Sequence, residues 1–112
     1  MNDEYAVVAG QIENCPSKDE LAQVLLSAGY EAYVGRYSIR LEEFDRFSFQ
    51  ELGSDPRTPY IDANHRNVSE LIAFSQRVSR TLADAHIKHV FEIYDANEEL
   101  AAYLHHNWPK AW

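Results

Sequence analysis

A single cysteine, Cys15, stands in a chain of 112 residues, so no internal disulfide can form and the fold must rest on its apolar core. Long hydrophobic runs are missing too. The longest, "YAVVA" and "LAQVLL", fall far short of the roughly 20 residues needed to span a bilayer. No charged start followed by an apolar stretch resembles a signal peptide, and a reducing cytoplasm is the expected compartment. The four glycines are scattered at positions 10, 29, 35 and 53, which excludes a glycine-rich phosphate loop.

Positive charge is scarce. Ten Lys and Arg stand against 18 Asp and Glu, for a net charge of -8. Nucleic-acid binding draws most of its affinity from cations neutralising phosphates, so this balance argues against it. "RFSFQE" alternates basic and aromatic residues as the stacking strand of an RNA-recognition module does, but it lacks the glycines and the final aromatic. The acidity favours a basic protein partner and speeds encounter with it.

What is present suits one globular domain over residues 1–112. With 46% hydrophobic residues, a chain of this size buries roughly two-thirds of the surface its unfolded form exposes. "YAVVAGQI" lacks a helical stripe and predicts a buried strand. In "CPSKDELAQVLLSAG" the period changes, with Ser17 and Glu20 as a capping box and Gly29 as the stop of a helix. "EAYVGRYSIRL", residues 31–41, alternates as one half-buried strand. It sets Tyr33, Tyr37, Ile39 and Leu41 on one face against Val34, Arg36, Ser38 and Arg40 on the other.

"DRFSFQEL" predicts an antiparallel neighbour joined through "EEFD". "GSDPRTPYIDANHRN" reads as the longest irregular stretch, with "YIDA" as a short edge strand. Asn67 and Glu70 open a long helix with Val68, Leu71, Ile72, Ser75, Val78, Leu82 and Ala85 on one face. "KHVFEIYD" is a strand, and "DANEELAAYLHHNW" predicts a final helix opened by Asp95 and stopped before Pro109. The expected class is α+β, a ferredoxin-like split βαβ sandwich of order β-α-β-β-(β)-α-β with an added C-terminal helix. Its helices would cover one face of the sheet and leave the other available.

Five histidines raise the question of a metal. On a helix, neighbouring His105 and His106 diverge by about 100°, and His86 and His89 flank a turn that removes a shared face. No metal and no cofactor is therefore expected. Histidines 86, 105 and 106 read instead as helix-end residues facing partial negative charge. Asp62 and His65, with Asn64 and Arg66 alongside, form the candidate acid-base pair, placed in a loop. No nucleophile motif accompanies them, and Asp and Asn are also what turns use to bond their own backbone.

Tyrosine and tryptophan, with arginine, are favoured at interface hot spots. Tyr33, Arg36, Tyr37, Arg40 and Trp112 are the candidate partner-binding residues, whereas Trp108, held by the turn at Pro109, is expected to close the core. The leading expectation is a non-enzymatic, acidic protein-interaction module, an inhibitor or immunity-type partner of a basic protein. Two rivals stand beside it: a small α+β enzyme using Asp62 and His65, and a small-molecule-binding homodimer formed by sheet pairing.

Overall fold

Strand periodicity in "AVVAGQIE" buries every second residue, and the segment forms β1 (Ala6–Glu13) with Ala6, Val8 and Ile12 in the core. The computed structural model describes residues 5–13, 17–36, 38–42, 46–50 and 60–106. After β1, the Ser17 side chain accepts the Glu20 amide and the Glu20 carboxylate receives the Ser17 amide. This reciprocal cap starts α1 (Lys18–Ser27). Gly29 then takes a positive φ of 98°, and the Tyr30 amide reaches back to Leu25 O at 3.1 Å, which ends the helix as the sequence predicts.

The alternating stretch 31–41 is not one strand but two. It folds back at Gly35 into β2 (Ala32–Val34) and β3 (Ser38–Leu41), paired antiparallel with Tyr33 opposite Arg40. The Gly35 amide donates to Ser38 O at 2.8 Å. The fold-back moves Tyr33 away from the side of Ile39 and Leu41, which are buried, and onto the side of Arg40. β4 (Arg46–Gln50) pairs with β3 as expected. "YIDANH" forms β5 (Tyr60–His65), which is no edge strand, because it lies between β4 and β1.

Asn67 caps α2 (Val68–Asp84) by accepting the Glu70 amide at 3.0 Å. Leu71, Phe74, Ser75, Val78 and Leu82 of this helix are buried. β6 (Lys88–Tyr94) follows. The largest correction comes next, because the expected C-terminal helix is a strand, β7 (Leu100–His106), paired antiparallel with β6. Asp95, read as a helix cap, instead holds the hairpin loop. Its carboxylate accepts the amides of Asn97 at 2.9 Å and Glu99 at 3.0 Å. The same short acceptor serves a helix start and an Asx turn, so local sequence does not separate them. Pairing with β6 and burial against the core decide it, with Ala102 and Leu104 packed on the cluster.

The described residues form a small compact α+β domain with two helices and a seven-stranded antiparallel sheet of order β2-β3-β4-β5-β1-β6-β7. Strand count and order depart from the expected sandwich through the β2-β3 hairpin and β7. Both helices pack on one face, over a core where the Phe47 ring lies 5.2 Å from Phe74 and 6.0 Å from Phe91. Among the described residues no helix is long and apolar enough to cross a membrane.

Candidate interaction surface

Strand parity assigns the other face of the sheet. On β1, Ala6, Val8 and Ile12 point to the helices, so Val7, Ala9 and Gln11 point away, and all three are exposed. The register then sets one row of side chains across all seven strands: Tyr33, Arg40, Ser48, Asp62, Ala9, Glu92 and Tyr103. A second row runs Ser38, Gln50, Tyr60, Gln11, Val90 and His105.

Large residues stand on this face, Tyr33 at its β2 edge and Tyr60 on the middle strand, beside a small one on β1. Tyr33 is 59% exposed and Tyr60 45%. The Arg40 guanidinium carbon lies 5.3 Å from the Tyr33 ring centroid, a cation–π contact, while Arg40 Nη2 meets Glu42 Oε2 at 3.3 Å. At the centre, Ala9 leaves a depression of about 440 Å³ bordered by Gln11, Tyr60, Val90 and Glu92. Ala9 pairs with Asp62 on one side and Glu92 on the other. Glu92 lines the depression, while Asp62 lies on the neighbouring strand beside Ala9, its backbone two strand spacings or about 10 Å from that of Glu92.

The Tyr94 hydroxyl donates to Glu92 Oε1 at 2.8 Å. That bond to a carboxylate raises the phenol above its ordinary value. Ser48 donates to Asp62 O at 3.4 Å and receives the Gln50 amide nitrogen at 2.6 Å. Side chain holds side chain along β6 and along β4, so these parts of the face are ordered by their own polar contacts.

The candidate acid-base pair falls differently. Asp62 and His65 lie on β5 rather than in a loop, three positions apart, and strand parity sends them to opposite faces. Asp62 joins the open face, while His65 Nε2 lies 2.8 Å from Glu70 Oε1 at the start of α2. Glu70, expected to complete a capping box, turns to this histidine.

The histidines also depart from the helix-end reading. His105 and His106 lie on β7, so the expectation of a helix terminus fails for both. His86 does follow α2, with a positive φ of 63°. His89 is fully buried, a placement its polar character concealed in the sequence. Its Nδ1 lies 2.9 Å from Ile87 O and its Nε2 2.6 Å from Ser79 Oγ. Among the described residues no three His, Cys, Asp or Glu side chains group to hold a metal ion.

Of the candidate partner-binding residues, Tyr33 and Arg40 come together on the open face. Arg36 is exposed at the β2-β3 turn, where its carbonyl receives Lys18 Nζ at 2.9 Å. Tyr37 and Trp112, like Trp108, lie outside the described residues. Sequence reasoning missed Tyr60, Glu92 and Ala9, because only the register shows that they share a surface. Set against family models, curated proteins and solved structures, the chain matches none.

Proposed function

We propose that this domain is a non-enzymatic interaction module that docks a basic protein on the open face of its sheet, in the manner of an inhibitor or immunity-type partner. The single observation that carries the reading is the depression over Ala9, lined by Glu92, with Asp62 beside Ala9 on the adjoining strand. A lysine or arginine side chain entering it would meet the Glu92 carboxylate, with Tyr60 and Val90 along its aliphatic stem and Asp62 on the next strand. The exposed Tyr33 and Tyr60 add large contact area at little conformational cost. The net charge of -8 supplies long-range attraction for the same class of partner and opposes nucleic acid.

The architectural reading that goes with it is a ferredoxin-like core, made of β6-β1-β5-β4 and the two helices and widened by β2-β3 and β7. In such a core the helices cover one face only, and the widening enlarges the other.

The test is capture from the source cell with the immobilised full chain. An Asp62→Asn/Glu92→Gln double variant should lose a captured basic protein, and Tyr33→Ala should weaken it, while Gln23→Ala on α1 should not. Retention of that protein by the double variant would overturn the reading.

A further inference from the structure

The two edges of the sheet are built differently. The β2 edge is three residues long, and the Lys18 ammonium caps its turn through Gly35 O at 2.6 Å and Arg36 O at 2.9 Å. A short strand with a lysine beside it is a usual guard against pairing with another chain. The β7 edge is seven residues, Leu100–His106, with no Asp, Glu, Lys or Arg among them. The one irregularity in its ladder lies at the far end, by Ile93 and Tyr94. Among the described residues β7 has no strand on its outer side.

The helix packed against this edge shows the same change in character. α2 lies over β6 and β7, and its charged residues Glu70, Arg77, Arg80 and Asp84 fall within one arc of about 80°. Ser69, Ile72, Gln76, Ser79 and Ala83 fall within another arc of that width and carry no charge. Ser79 touches His89 on β6, whereas Phe74, on the opposite flank, packs on Tyr30 after α1. The uncharged flank therefore lies on the β7 side. In a chain with 25% charged residues, one side presents an uncharged strand edge next to an uncharged helix flank.

We propose that two copies of this chain pair through β7, antiparallel about a two-fold axis normal to the sheet, to form one continuous sheet with the two α2 helices side by side beneath it. Such an axis keeps every side chain on its own face, so residues of equal parity must oppose each other. Centring on Tyr103 sets Ala102 opposite Leu104 and Ala101 opposite His105, while the register shift by Ile93 and Tyr94 turns Leu100 to the open face, out of phase with His106. Both pairs set alanine against a larger side chain. The acidic loop with Asp95, Glu98 and Glu99 falls beyond the ladder, beside the histidine end of the other copy rather than beside its own counterpart. Two chains of net charge -8 can approach here because the contact itself carries no carboxylate. The open faces of both copies then lie on the same side of the joined sheet.

Sedimentation of the full chain from micromolar to near-millimolar concentration tests this. The expected mass is twice the 12.9 kDa of one chain. Ala101→Lys, at an exposed position, should raise the dimer dissociation constant at least tenfold without changing the thermal melt measured at dilutions where both chains are monomers. In a Cys15→Ser background, Tyr103→Cys should give a covalent pair on mild oxidation and Tyr33→Cys at the other edge should not. A monomer at every concentration, a dimer indifferent to Ala101→Lys, or equal cross-linking from both edges would each refute the pairing. Loss of the basic-protein capture described above leaves it standing, because the two depend on different surfaces.

Discussion

Ser79 Oγ on α2 lies 2.6 Å from Nε2 of the fully buried His89 on β6. With Nδ1 directed at Ile87 O, the neutral ring donates through Nδ1 and accepts the serine hydroxyl at Nε2, so both nitrogens are satisfied. Burial lowers the His89 pKa below 6.5, the Ile87 bond opposes that, and His106 and His105 add to the lowering. The unfolded chain then binds more protons than the folded one below about pH 6.5, so stability is full above that pH and falls as the pH drops toward the folded value. Urea melts between pH 8 and pH 5 should show this decline. In His89→Gln the slope just below pH 6.5 should flatten, and an unchanged slope would remove His89 as its source.

Ser79→Ala leaves the His89 Nε2 acceptor without its donor in a buried site. The expected cost is about 1–3 kcal/mol at neutral pH. Denaturant unfolding measures it, and a neutral result would show that another group replaces the hydroxyl.

Phe47 joins β4 to both α2 and β6 through its contacts with Phe74 and Phe91, and it is fully buried. Phe47→Ala should cost about 3–5 kcal/mol. For a domain with the usual margin this approaches unfolding, readable as a loss of cooperativity in a thermal melt.

At Gly10 an added Cβ would sit 2.9 Å from the Val90 carbonyl oxygen, 3.0 Å from the Phe91 ring and 3.2 Å from Ile61 Cβ. A backbone oxygen in a central ladder has little room to retreat. Gly10→Ala should destabilise by about 1–3 kcal/mol, in contrast to the stabilisation that the same change brings at a compatible strand position. Equilibrium unfolding in urea distinguishes the two signs.

His86 follows the α2 cap at a φ of 63°, a conformation that costs most side chains about 1–2 kcal/mol. His86→Gly should therefore raise stability, by about 0.5–1 kcal/mol after the added freedom of the unfolded glycine is subtracted. A lower melting temperature would show that the imidazole makes compensating contacts.

Local chemistry alone determined the first helix, from the Ser17 and Glu20 box to Gly29, and the long helix opened by Asn67. It also determined the strands around Val8, Phe47 and Phe91. In each, the cap, the period and the burial agree, so no distant contact is needed to choose. The same chemistry was ambiguous wherever one residue type serves two structures. Asp95 caps a helix or an Asx turn equally well, and "LAAYLHH" has enough alanine and leucine for a helix until β6 offers it a ladder. Gly35 within an alternating run reads as one strand position, yet there the chain folds back, which brings Tyr33 across from Arg40.

The surface assembled from β1, β5 and β6 was not legible in advance. Ala9, Asp62 and Glu92 lie far apart along the chain and become neighbours only through antiparallel register, a long-range choice made by the burial of Val8, Ile61 and Phe91 on the opposite side. Asp62 and His65 are close in sequence, and strand parity separates them for the same reason. Composition determined the acidity and the need for a single apolar core. Tertiary structure decided which polar groups share a face, because in a sheet that depends on pairing partners distant in sequence.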